Sequence, residues 1–230
     1  MDRLFLLSSW NRFEKIWIAA FCATGIGLTL VWGDNLFGFT VFFSGILCVI
    51  LAAKGHIWNY PVGMYNNFGY AYLAWVNGLY GEVSLYLFFF VPASIIGFFM
   101  WRRHLSGDFV AMRSLRPHIV AGIAVVCVIF IASLGYGLSM IKTQNTPYID
   151  AVTNVLSITA TLLMMWRYRE QWIAYIALNC FSLGMWAVRW SHGSEDGPIM
   201  CVMWAAFLVN AFYGYVNWSK GAKISRGPVQ

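Results

Sequence analysis

The stretch LNCFSLGMWAVRW, Leu178 to Trp190, sets Asn179, Ser182, Trp186 and Trp190 at steps of three and four residues. On a helix that spacing puts an amide, a hydroxyl and two indoles on one face. An amide and a hydroxyl suit a sugar or a carboxamide. An indole face suits a planar ring, a cationic one included through cation–π attraction. Three further segments place polar side chains in the same rhythm: Asn59, Asn66, Tyr70 and Asn77, with Gly63 between; Asp150, Asn154, Ser157 and Thr161; and Asn210, Tyr213 and Asn217. As a set, the four stripes point to a shared cavity for a small, polar, aromatic solute. One at a time, each Asn, Ser or Thr is equally well explained as a hydrogen bond between neighbouring helices. Trp190, near a helix end, is equally well explained as an interfacial anchor; Trp186 lies one turn deeper, where that explanation weakens.

No machinery for chemical change accompanies the stripes. The chain has no HExxH, no GxSxG, no paired intramembrane aspartates and no phosphate-cradling loop. His56, His104, His118 and His192 are scattered, and Cys22, Cys48, Cys127, Cys180 and Cys201 lie singly in apolar runs without metal-ligand spacing. Neither an enzyme nor a metal or other cofactor is expected.

Composition sets the elements that must position these residues. Of 230 residues, 60% are hydrophobic and only 10% charged, whereas soluble domains are about a quarter charged. The chain is therefore expected to be an all-α integral membrane protein in a lipid bilayer. A helix needs roughly 20 residues to cross about 30 Å of hydrocarbon. Eight segments approach that length: 16–33, 37–53, 59–76, 82–101, 118–140, 148–166, 171–190 and 197–218. The basic N-terminal opening has no small-residue cleavage site after it and reads as an uncleaved first span.

The net charge of +6 raises nucleic acid as a partner, but the placement of the charges removes it. With the N-terminus inside, Arg3, Arg12, Lys15, Lys54, Arg102, Arg103, Arg113, Arg116, Arg167, Arg169, Lys220, Lys223 and Arg226 all fall inside, and only Lys142 and Arg189 outside. Asp34, Glu82, Asp150, Glu195 and Asp196 occupy the outer loops or span ends. That asymmetry is an orientation signal, with both termini cytoplasmic. No Asp, Glu, Lys, Arg or His lies deep within a span, which argues against a proton relay or a carboxylate ion site.

A weak internal repeat organises the spans. FVPASIIGFFMW (Phe90–Trp101) aligns with FLVNAFYGYVNW (Phe207–Trp218) at Phe, Gly and Trp; Asn66–Ala74 aligns with Asn179–Ala187 at Asn, Phe and the last Ala; Trp58 falls opposite Trp172. Each triplet begins outside and ends inside, so the repeats are parallel and the fifth span links them. The expected layout is an N-terminal extra helix (1–35), a first triple-helix repeat (36–101), a cytoplasmic joint and linker helix (102–147), a second triple-helix repeat (148–218) and a cytoplasmic tail (219–230). Transporters built from repeats hold substrate between them near the midplane. Pro92, in the fourth span, reads either as a flexing point or as a fixed packing kink.

At these residues the chain resembles the PnuC family of bacterial vitamin transporters. NGLYGEVSLYLFFFVP (Asn77–Pro92) with IGFFMW (Ile96–Trp101), GMWAVRW (Gly184–Trp190) and VNAFYGYVNW (Val209–Trp218) carry the likeness, which covers roughly residues 37–218. The resemblance implies a seven-helix core like two fused three-helix SWEET-type units, assembled as a homotrimer in the bacterial inner membrane. It implies uptake of nicotinamide riboside by uncoupled facilitated diffusion through alternating access, with phosphorylation by a cytoplasmic kinase trapping the product. The family's tryptophan pair maps onto Trp186 and Trp190, and its Asn-x-x-Tyr motif onto Asn210 and Tyr213. Asn179, Asn66, Ser182 and Asn154 complete the expected substrate-binding set. Tyr86 and Ser94 stand in the fourth span where Asn and Gln are expected. Relatives carry thiamine or riboflavin, so a transporter for either is the alternative; an intramembrane enzyme or a scaffold whose stripes serve packing alone are the readings outside transport.

Overall fold

The computed structural model describes residues 10–32, 36–76, 80–140, 146–193 and 197–225. Arg3, Asp34, Asn77, Lys142, Glu195, Asp196 and Arg226 lie outside the described residues, as does the side chain of Glu82. Eight long helices account for nearly all of the rest: α1 (Arg12–Trp32), α2 (Leu36–Lys54), α3 (Asn59–Val76), α4 (an α-helical start, Tyr80–Leu85, a π-helical turn, Tyr86–Phe90, and an α-helical remainder, Val91–Arg102), α5 (Pro117–Ser139), α6 (Pro147–Met165), α7 (Gln171–Ser191) and α8 (Gly197–Ser225). Helices are what lipid permits, because every backbone N–H and C=O must be satisfied within the segment. Among the described residues, six of the eight are long and apolar enough to cross a membrane: Leu36–Lys54, Val83–Arg102, Pro117–Ser139, Pro147–Met165, Gln171–Ser191 and Met200–Ile224. Helices α1 and α3, both expected as spans, are not in that set, and for α3 the composition says why. Asn59, Asn66 and Asn67 share it with Tyr60, Tyr65, Tyr70 and Tyr72, a makeup tolerable only on a helix packed against protein.

Helix starts follow local rules. Asn11 and Glu14 cap α1 reciprocally, each side chain accepting the other's backbone N–H at 2.9 Å. Pro117 and Pro147 open α5 and α6, where a missing N–H costs nothing. Gly55, at φ +72°, ends α2, and the His56 N–H turns back to Leu51 O at 2.9 Å, as a Schellman stop requires. The π-helical turn in α4 has a cause in the sequence. Pro92 has no N–H for Phe88 O and its ring crowds that carbonyl; the turn just before it widens, and the Val91 N–H reaches Tyr86 O, five residues back.

The chain divides into two compact units. The first comprises the chain up to Ala52 and His56–Ile96; the second comprises Ala53–Gly55 and the chain from Gly97 onward. In the first, Trp10, Ile46, Ile50 and Leu51 form a buried core against which Trp17, Ile18 and Phe21 of α1 and Phe42, Leu47 and Val62 pack. Helices α2 and α3 approach closely because α3 presents glycines: a Cβ at Gly63 would sit 2.9 Å from Cys48 Sγ, and one at Gly69 would collide with Val41.

In the second unit, Trp101 and Trp218 are fully buried and lie 5.6 Å apart, with Trp172 6.5 Å from Trp218. Trp101 donates its indole N–H to Met164 O at 2.8 Å. The joint after α4 folds into a small hairpin that the apolar-run reading does not anticipate. Leu105–Ser106 (β1) pairs antiparallel with Phe109–Val110 (β2), turning at Gly107, φ +66°, a residue suited to a two-residue hairpin loop. The joint is stitched to the α6–α7 connection. Arg113 and Tyr168 bridge in parallel, Arg113 N–H donating to Arg167 O at 2.8 Å and Arg169 N–H to Arg113 O at 2.9 Å. Buried Glu170 accepts the Leu115 N–H at 3.1 Å and pairs with Arg169 Nε at 2.9 Å. Arg167 takes a left-handed backbone, φ 66°, steadied by Nη1 donating to Ala111 O at 3.1 Å. Burial, and then the charge of Arg113, lower its pKa from the usual arginine value.

Candidate functional site

Seven of the eight expected binding residues belong to α6, α7 and α8 of the second unit, and Asn66 belongs to the first. Helix α7 packs against both α6 and α8. Along α7 the buried residues end at Ser182. Gln171, Trp172, Ala174, Leu178, Asn179 and Ser182 are buried; Trp186 is half-buried, and Trp190 is 54% exposed. The stripe thus runs from a closed interior to an open end. Asn179 and Ser182 reach 5% and 1% exposure.

The indole of Trp186 is already in a cation–π contact, with the Arg189 guanidinium 4.9 Å from its ring centre. On α8, Asn210 is buried at 3% exposure and Tyr213, one turn on, is half-buried. Asn217, next on that stripe, serves packing: its Nδ2 donates to Ala53 O at 2.8 Å, one of the carbonyls left open at the end of α2. Gly214, between them, lets Trp172 press flat against α8, because a Cβ there would meet the indole at 2.5 Å.

On α6, Asn154 folds back onto its own helix, Nδ2 donating to Asp150 O at 2.8 Å, as the Thr153 hydroxyl also does at 3.1 Å. The Thr161 hydroxyl donates to Ser157 O at 2.8 Å. These are local bonds that leave a helix without needing a partner. Asn66 spans to a neighbour instead: its Nδ2 donates to Val41 O at 2.7 Å and lies 3.4 Å from Ser44 Oγ. The two departures in the fourth span find their partners there as well. Tyr86 stacks on Tyr70 with ring centres 4.4 Å apart, and Ser94 accepts from Asn67 Nδ2 at 3.1 Å while donating to Phe90 O at 2.8 Å.

Sequence spacing misses several polar groups that the structure singles out. Gln171 is fully buried with both amide atoms unpartnered, and the indole N–H groups of Trp172 and Trp204 are buried without acceptors. Each such group costs about 1–3 kcal/mol unless water or a solute meets it. None could be found from an i, i+3, i+4 pattern, since an indole counts as apolar and Gln171 sits at a helix start. No group of three or more His, Cys, Asp or Glu suited to a metal ion occurs among the described residues.

The profile of the nicotinamide mononucleotide transporter family matches residues 35–220. The nicotinamide riboside transporter PnuC of Neisseria mucosa is 33% identical over 96% of this chain and 86% of its own length. Its counterpart from Haemophilus influenzae is 32% identical over 94% of both chains. A solved structure described as the vitamin B3 transporter PnuC superposes with a TM-score of 0.79 at 32% identity, covering 95% of each chain.

Proposed function

The chain belongs to the nicotinamide mononucleotide transporter family, and on that premise we propose that it carries nicotinamide riboside into the bacterial cytoplasm across the inner membrane. The observation that carries this reading is the end-to-end match to relatives named for that solute, among them a protein of known structure. The α7 stripe supports it chemically. Nicotinamide riboside combines a pyridinium cation, a carboxamide and a ribose, and the stripe offers an indole that already holds a cation, followed by a buried amide and hydroxyl.

In this reading Trp186 and Trp190 stack on the pyridinium. Asn179, Ser182, Asn210 and Asn154 meet the carboxamide and ribose, with Tyr213 walling the site. Facilitated diffusion by alternating access is what the family resemblance implies, and the lack of a carboxylate or histidine mid-span argues against proton coupling. Phosphorylation of the product by a cytoplasmic kinase keeps the inward gradient. The excess of Lys and Arg on one side of the spans supports a cytoplasmic position for both termini. The functional unit is a homotrimer with a SWEET-like core in each protomer, the two triple-helix repeats being 36–101 and 148–218.

Uptake of labelled nicotinamide riboside into proteoliposomes tests this. The expected result is saturable uptake that is indifferent to sodium and proton gradients and outcompeted by unlabelled nicotinamide riboside. Uptake blocked by thiamine or riboflavin instead would reassign the substrate; uptake that follows an imposed ion gradient would replace facilitated diffusion by coupling.

A further inference from the structure

Arg189 lies three residues beyond Trp186, on the same face of α7, and its guanidinium covers the Trp186 ring at 4.9 Å from the centroid. We propose that Arg189 is a displaceable stand-in for the cationic ring of the substrate, occupying the indole face while the site is empty and thereby setting the affinity and charge selectivity of the site. The inference rests on the reading of Trp186 as the pyridinium-stacking residue.

The physical argument is competition. A planar cation over an indole face is the same interaction whether the cation is a guanidinium or a pyridinium. One face cannot hold both, and two positive charges at stacking distance repel. Arg189 is exposed and lies in the last turn of α7, where the carbonyl end of the helix offers a cation another resting place. It can therefore leave the ring without disturbing the buried stretch from Gln171 to Ser182. A neutral solute has less to gain, since it must displace a cation–π contact without replacing it.

Calorimetric titration of nicotinamide riboside into the full-length protein and into Arg189→Gln tests the inference. Freeing the face should tighten binding by roughly two- to fivefold. In a Trp186→Phe background, where the ring holds cations less well, the gain from Arg189→Gln should shrink toward none. Parent binding with unchanged or weaker binding by Arg189→Gln would overturn the inference alone. So would an equal gain in the Trp186→Phe background, because Arg189 would then act by charge at a distance. Absence of binding by parent and Arg189→Gln alike would overturn the underlying reading and the inference with it.

Discussion

Helices α3 and α7 carry polar stripes of the same spacing and use them differently. On α3, three of the polar groups are committed to neighbours within the first unit, Asn66 to Val41 O, Asn67 to Ser94, and Tyr70 to the ring of Tyr86, while Asn59 keeps a buried Oδ1 without a partner. On α7, Asn179 and Ser182 are more deeply buried, and Trp186 faces a cation rather than a packing partner. Polar spacing of three and four says only that a helix face avoids lipid. What the side chains bond to decides whether that face packs or binds.

The contrast breaks most severely at Gly214. Because α7 is held by shape, with Trp172 pressed where a Cβ would be, Gly214→Val should cost about 1–3 kcal/mol or more. A lowered melting temperature in detergent checks this, and an unchanged one would mean the contact is not what holds α7. Next in size, Asn179→Ala should weaken nicotinamide riboside binding by about tenfold, the worth of one hydrogen bond to a buried solute, at little cost in melting temperature. Asn66→Ala should do the reverse, losing about 0.6–1 kcal/mol of stability with affinity held. Calorimetry and thermal melting of both variants measure the pair, and exchanged outcomes would exchange the roles of α3 and α7. The smallest effect is expected at Ser94→Ala, which removes the Asn67 bond. Stability should fall by about 0.6 kcal/mol and binding should not move; weakened binding would return the fourth span to the site.

Much of the fold is legible in the sequence because lipid leaves the chain few options. Runs approaching 20 residues mark all eight helices, the polar α3 included. Pro92 announces a distortion, although only the structure shows it as a π-helical turn. The hairpin at Leu105–Val110 stays hidden because its strands are two residues each, too short to show alternation. Spacing names Asn179, Ser182, Trp186, Asn210, Asn66, Asn154 and Asn217 alike and does not say what each side chain meets. The Nδ2 groups of Asn66, Asn154 and Asn217 reach backbone carbonyls, which depends on carbonyls distant in sequence or on a side-chain rotamer. Arg189 reads as a loop-side charge until its guanidinium is seen over Trp186.

The central claim is that the α7 stripe is the substrate surface, and calorimetric titration of nicotinamide riboside into the parent and Trp186→Ala tests it most directly. The account predicts saturable binding by the parent and a loss of about tenfold or more in the variant, with the melting temperature unchanged. Equal binding by both proteins would contradict it and make Trp186 a packing residue.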